Sequence, residues 1–466
     1  MKKILSIFLL TFSIAVTAQC YESVTFGGAH TTAKKADGTL WGWGFGSYGE
    51  LSSPNETEPN PIQLGMANDW NKVYNGAINT FAIKNNGTLW GCGNNTHGAL
   101  GVNSTTQYFT SFQQITTATN WVKVAPSYHF AIALKADGTI WAWGQNDYYQ
   151  LGNTPATAQQ LSPIQVGTAT DWVDIATGTD RTAFAIKTNG TIWGWGINDS
   201  SIIVSGSSTV SVSTPTQVGT ATDWVKMSVG VGHILAQKQD GTLWSWGGGD
   251  ALGVGGSPSV TNIPQQISTD VWKSFSAGSG TSAGVKADGT LWVWGVNTNG
   301  QLGDGTSTNR LIPTQIGTDT NWATVHDRDF GTNMATKTDG SIWYWGLNYY
   351  GEFGNGISYD MNVYMTPTQT LGICVTPLSN SDFNKEKLFT MYPNPANDVV
   401  TFQYTSEAAS AAVELYDVTG RLVHSSVLDA FSGSSSLSVK EYPSGIYMVL
   451  VKQQTGTLWS GKLIVD

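Results

Sequence analysis

Apolar and polar residues alternate along most of this chain in short runs, the period-two pattern of strands that bury one face. Clusters of Gly, Asp, Asn and Pro separate the runs, and outside the extreme N-terminus no stretch carries apolar residues at helical spacing. The runs recur in register. Seven times a strand carrying Lys (Lys35, Lys84, Lys135, Lys187, Lys238, Lys286, Lys337) meets an Asp-Gly or Asn-Gly corner two residues on. A second strand leaves each corner as Thr/Ser, aliphatic, Trp, any residue, Trp, Gly, from Asp37 to Gly44 in the first copy and Asp339 to Gly346 in the last. Gly with Asn or Asp tolerates the positive φ a tight hairpin needs, so each copy predicts a hairpin. The two Trp are spaced i and i+2 and face the same way. The residue between them is mostly small (Gly42, Gly91, Ala142, Gly194, Ser245), which predicts that an adjacent sheet closes on the other face. Downstream come a turn such as Gly98-Ala99-Leu100-Gly101, a variable polar loop, Pro-x-Gln, and a further Trp (Trp70, Trp121, Trp172, Trp224, Trp272 or Trp322) that opens the next unit.

Steps of about 50 residues between copies signal units that bury their faces only against neighbours. Four short strands per unit, seven times over, predict an all-β chain built on a seven-bladed β-propeller. The first unit lacks its opening Trp, and repeat register puts Tyr21 in that slot; the pattern ends after Pro367, where the next Trp falls due. Blade seven is therefore expected to close on blade one. In this register Cys20 sits one place before the Trp slot and Cys374 two places before it, so closure predicts a Cys20–Cys374 disulfide in an exported protein. Cys92 holds the second Trp slot of repeat two and is expected to be a buried free thiol. The Trp themselves read as core. In repeat four the Gly-x-Leu-Gly turn gives way to Asp199-Ser200-Ser201-Ile202-Ile203, which predicts an unusual loop.

The propeller is assigned to residues 19–374 and a polar linker to 375–387. In 388–466 the repeat vocabulary gives way to plain alternation with corners at Val418-Thr419-Gly420-Arg421 and Gln454-Thr455-Gly456, a small antiparallel β-sandwich. Residues 1–18 read as a signal peptide: Lys2 and Lys3, an apolar run from Ile4 to Val16, and the small-residue pattern Val16-Thr17-Ala18. Gln19 argues against the competing lipid attachment at Cys20. The 466 residues carry a net charge of −10 and no basic stripe, which argues against nucleic acid as a partner. No internal run reaches the roughly 20 apolar residues of a membrane span, so none is expected in the mature chain.

Catalytic signals are poor. Gly280-Thr281-Ser282-Ala283-Gly284 imitates a nucleophile elbow but stands at a strand start with no helix to follow. His30 and His233 share a repeat position and read as strand ends, and no metal-ligand spacing appears. No catalytic residue, metal or cofactor is expected. Binding is better motivated, because the variable loops gather on one face of a rigid scaffold. Tyr48, Tyr149 and Tyr350 recur at one loop position, beside Tyr148 and Tyr349, and these five are the candidate ligand-binding residues; Tyr108 and Phe109 lie near.

The aliphatic-Trp-x-Trp-Gly and Gly-Gln-Leu-Gly phrases resemble those of the regulator-of-chromosome-condensation repeat family, over about Cys20 to Cys374. That resemblance implies a seven-bladed propeller. The founding members act as nucleotide-exchange factors on a nuclear GTPase, but no exchange-site motif here matches residue by residue. The tail resembles the C-terminal sorting domain of the type IX secretion system of Bacteroidota. The resemblance rests on Tyr392-Pro393-Asn394-Pro395, Gly420 in Asp417–Arg421, Gly445 and Tyr447 in Pro443–Tyr447, and Lys462 in the closing Lys-Leu-Ile-Val. It implies export beyond the outer membrane, with the secretion machinery as partner of residues 388–466. The expected function is a secreted or cell-surface propeller that binds a glycan or protein through its loop face. The alternatives are an extracellular polysaccharide- or protein-degrading enzyme using the channel, and nucleotide exchange by family analogy alone.

Overall fold

In a computed structural model the described residues run from 19 to 465, apart from 154–157, 179–180, 199–200, 205–209, 257–260, 328–330, 376–388, 393–395, 405–411, 418–420, 428–433 and 454–455. The expected signal peptide and all but the first residue of the expected linker lie outside them. After the short strand β1 (Gln19–Tyr21), the first blade is the antiparallel sheet β2 (Ser23–Phe26), β3 (His30–Lys34), β4 (Leu40–Phe45) and β5 (Thr57–Gln63). The same four-strand order repeats to give seven blades. One long strand, Thr261–Ala277, ends blade five and begins blade six.

The corner phrase is a chain of hydrogen bonds. Asp37 Oδ1 accepts the Thr39 amide (2.9 Å) and hydroxyl (2.6 Å), and Thr39 Oγ1 accepts Trp41 Nε1 (3.0 Å). The other six corners repeat it, with Asn for Asp in blades two and four and Ser341 for Thr in blade seven. Gly38, at φ +81°, has no room for a side chain: a Cβ there would meet the Asn68 carbonyl oxygen at 2.1 Å.

The recurring Lys covers the half-buried first Trp. The Lys35 amine lies 3.6 Å from the Trp41 ring centre, and that of Lys286 lies 3.6 Å from Trp292. Each Lys also lies over the ring that opens its blade, as Lys84 does at 5.0 Å from Trp70. Five of them close the stack with a carboxylate: Lys84–Asp69, Lys187–Asp171, Lys238–Asp223, Lys286–Asp270 and Lys337–Asp319, at 2.6–3.2 Å.

The second Trp is fully buried and, except for Trp345, joins blades through its indole N–H. Trp143 Nε1 donates to the Ala99 carbonyl of the preceding blade (2.9 Å), and Trp195 to Gln150 (2.9 Å), Trp246 to Ile202 (3.0 Å) and Trp294 to Ala251 (2.7 Å). Each acceptor is the x of a Gly-x-Leu-Gly turn or its equivalent. The buried Cys92 thiol stands in the same slot, 3.6 Å from the Glu50 carbonyl.

One expectation changes here. The small residue between the paired Trp makes room for its own blade rather than an adjacent sheet: a Cβ on Gly42 would meet Leu51 and Leu64, and one on Gly194 would meet Phe184 and Ile203. Of the unusual loop expected in repeat four, Asp199, Ser200 and 205–209 lie outside the described residues, and the described part keeps the standard turn bonds. Ser201 takes the left-handed conformation (φ +48°), Ile203 N donates to Asn198 Oδ1 (3.0 Å), and Ile202 and Ile203 are buried. Hydroxyl and aliphatic side chains fill the turn positions without the glycines.

The ring closes by strand pairing. β1 adds to the last strand of blade seven, Asp360–Val375, in parallel, with Cys20 opposite Cys374 and Tyr21 opposite Val375. Val375 N donates to the Gly340 carbonyl (2.7 Å), the bond that Trp70 N makes to Gly38 (3.2 Å). Val375 thus fills the backbone slot of the missing Trp, and the buried Tyr21 fills the side-chain slot against Trp41 and Trp43. Cys374 is therefore one place before its slot, not two, and matches Cys20. The two form a disulfide with Cα atoms 4.5 Å apart. Trp43 Nε1 completes the ring on the Glu352 carbonyl (2.9 Å).

The C-terminal unit has its own core. Phe389–Tyr392, Val399–Tyr404 and Ser434–Ser438 form one antiparallel sheet; Leu422–Val427, Ala412–Tyr416, Gly445–Gln453 and Gly456–Val465 form the other. Phe402, Val413, Leu415, Val449 and Leu463 are buried in one cluster, the expected sandwich.

Candidate functional site

Corners and strand-four exits lie at one end of every blade. The short turns after first strands and the long loops after third strands lie at the other, so the variable loops share one face. On it, Tyr48 (39% exposed) stands five residues after Trp43, and Tyr148 and Tyr350 stand five after Trp143 and Trp345. His97 holds the same position after Cys92. Tyr149 is one place further on, a correction to the expected register. With φ +60° it occupies the slot of Gly49 (φ +83°) and Gly351 (φ +82°). The shared position therefore presents a ring in four consecutive blades: seven, one, two and three.

Their backbone is held from below. The amides of Tyr48, Tyr148 and Tyr350 donate to the side chains of Glu50, Gln150 and Glu352 at 2.8–2.9 Å. Both carboxyls are sealed from water, and burial pushes Glu50 up to about 8 and Glu352 up to about 7.

Around the seam of blades seven and one the rings form a chain of contacts. Phe45 lies 4.7 Å from Tyr350 and 5.8 Å from Tyr48, and Tyr349 lies 4.8 Å from Tyr350 and 5.6 Å from Tyr359. Tyr359 is 50% exposed. Phe45 and Tyr359 escaped the sequence reading; Phe45 follows the last Gly of the repeated phrase, where no shared residue type marks it. Tyr108 is exposed on the fourth strand of blade two and touches none of these rings.

The central channel, about 240 Å³, is lined by first strands, including Thr25, Tyr74, Lys123, Ser228, Ser276 and His326. Lys123 is ion-paired with Asp174 of the next blade. The sequence-flagged His30 and His233 are buried, with Nε2 3.0 Å from Thr80 Oγ1 and 2.9 Å from Ser282 Oγ. Ser282, from the elbow-like phrase, is fully buried and donates to the Ala251 carbonyl, as part of the same inter-blade seam. Among the described residues no group of three His, Cys, Asp or Glu could hold a metal ion.

In the tail, Tyr392 is half exposed, and Pro393, Asn394, Pro395 and Gly420 lie outside the described residues. Gly445 and the buried Tyr447 share a strand, with the Tyr447 hydroxyl on the Pro443 carbonyl (2.8 Å). Lys462 lies in the strand paired to it, opposite Met448. Asp417, Arg421, Pro443, Ser444, Gly445 and Tyr447 line one groove of about 590 Å³.

These features define a repeat propeller followed by a separate β-sandwich. The chain belongs to the RCC1-like domain family, whose sequence model matches residues 12–333, and a secretion system C-terminal sorting domain matches residues 390–466. The sorting domain makes this a secreted or cell-surface propeller, and among the described residues no helix is long and apolar enough to cross a membrane. The ultraviolet-B receptor UVR8 of Arabidopsis thaliana is 26% identical over 184 residues, 38% of this chain and 42% of that protein. The E3 ubiquitin-protein ligase HERC2 of Homo sapiens is 29% identical over 185 residues, 36% of this chain and 4% of that protein. The chain thus spans less than half of the curated relatives it matches. Among solved structures, a chain from the crystal structure of Kap60 bound to yeast RCC1 (Prp20) superposes with a TM-score of 0.62 at 19% identity, over 83% of this chain and 97% of that one. Human WBSCR16 gives 0.61 at 20% identity, over 67% and 85%. At these identities the likeness is one of fold.

Proposed function

We propose that this protein is an exported carbohydrate-binding propeller, delivered by its leader and C-terminal sorting domain, that acts by binding rather than catalysis. One observation carries the reading: a crescent of rings at one repeat position in four consecutive blades, with an aromatic patch at the seam of blades seven and one. Tyrosine rings offer an apolar face to sugar C–H groups and a hydroxyl to sugar oxygens. They stand on loops whose backbone is anchored to buried side chains, so little order is lost on binding. The type IX machinery is the partner of residues 388–466, and the mature propeller meets its ligand outside the cell.

The test is an array of extracellular polysaccharides probed with the full-length chain. Binding to at least one is expected, and Tyr48→Ala with Tyr350→Ala should weaken it about tenfold or more at an unchanged melting temperature. Binding to an extracellular protein with no glycan bound would move the reading to a protein ligand. Hydrolysis of the bound polymer would overturn the non-catalytic reading.

A further inference from the structure

The crescent has one cationic end. The residue just before the second strand is Ala29, Ile78 or glycine in five blades, but it is His129 in blade three and Arg181 in blade four. Both carbonyls accept a third-strand amide (Gln145 to His129, 2.9 Å; Ile197 to Arg181, 3.2 Å), so the repeat fixes where both side chains start. The His129 ring lies 5.3 Å from that of His97 and 4.7 Å from Tyr128, and the Arg181 guanidinium lies 4.9 Å from the Tyr148 ring centre.

Among the described residues, Arg181 has no ion-pair partner. The recurring lysines are stacked on Trp, and most of them are also paired with Asp; no carboxylate of the described residues lies within ion-pair reach of Arg181. Asp147, the acidic group next to Tyr148, accepts Gln145 Nε2 (2.7 Å) instead. His129 Nδ1 is sealed from solvent with no hydrogen-bond partner. Burial, with His97 and Arg181 beside it, holds this imidazole down to about 4. On a chain of net charge −10, a cation set among rings with no described carboxylate in reach calls for an anion from outside.

We propose that this end of the crescent binds a carboxylate-bearing sugar, a uronate residue of the bound polysaccharide. The Arg181 guanidinium takes the carboxylate through charge-assisted hydrogen bonds, and the rings of Tyr148 and His97 pack on the sugar. This deepens the carbohydrate reading and rests on it.

The test titrates the full chain with an oligogalacturonate and with the same oligomer fully methyl-esterified, which removes the charge and adds a methyl group. The acid form should bind at least about tenfold tighter. Arg181→Gln should bring it to the level of the ester while leaving ester affinity unchanged. His97→Ala, at an exposed position, should reduce affinity for both forms and leave part of the preference. Equal affinity for the two oligomers, or a preference that survives Arg181→Gln, overturns the inference. Neutral polysaccharides on the array separate the two levels: binding to them without acid preference sinks this site alone, and binding to no glycan sinks the carbohydrate reading with it.

Discussion

Glu50 shows how one residue carries two duties. Its carboxyl holds the Tyr48 amide from below, and its own carbonyl receives the thiol of the next blade. Burial raises its pKa from the ordinary 4.5 to about 8, so the folded state keeps a proton that the unfolded chain has lost. The stability it contributes is complete below about pH 4.5 and is lost as pH rises towards 8. Glu50→Gln should therefore remove part of the loss between pH 5 and 8. At pH 9 the variant should be the more stable by a few kcal/mol, read as the difference between denaturation curves of the two proteins across pH. Gln150 already serves at the equivalent place, which supports the exchange. Little of this was legible in the sequence. The Gly-x-Leu-Gly phrase marked the turn, but a Glu there reads as a solvated surface residue until the next blade covers it. The one-place error over Tyr149 has a related cause: a Tyr in a glycine's left-handed slot leaves no trace in residue type.

At the scale of the element, the hairpin corner was the most legible feature. Its Asp/Asn-Gly-Thr/Ser-x-Trp spelling is local, because every partner lies within two residues of the next. Thr191→Val tests the chain of bonds in blade four. It keeps the shape and removes the hydroxyl that donates to Asn189 and accepts Trp193 Nε1. The expected cost is about 1–2 kcal/mol, measured by denaturant unfolding, with the fold retained. The Lys two residues before each corner was visible as a recurrence, and its stacking on two aromatic rings was not. One of those rings arrives from the blade's first strand, whose alignment exists only after the sheet forms. The loop of repeat four shows the converse. Its residues departed from the phrase, yet among the described residues Ile202 and Ile203 bury what Gly-x-Leu-Gly buries elsewhere.

For the whole molecule the decisive element is the short strand β1, which fastens the chain's start to blade seven. The disulfide lies at its centre and spans 354 residues of sequence. Cys20→Ser with Cys374→Ser should lower stability by about 2–5 kcal/mol and leave β1 first to exchange its amides. Thiol titration of the denatured, unreduced wild-type protein should find one free cysteine, Cys92; three would overturn the closure. The crescent also belongs to this scale, since its rings come from loops about 50 residues apart that meet only on a closed ring. By itself the sequence determined the strands, the corners, the number of blades and the change of vocabulary at the tail, because spacing and turn chemistry act over a few residues. Tertiary structure alone decided which Trp bonds across blades, which glutamates lose water and which loop side chains share a patch. Those outcomes depend on what a neighbouring blade removes from solvent, and no single repeat contains its neighbour.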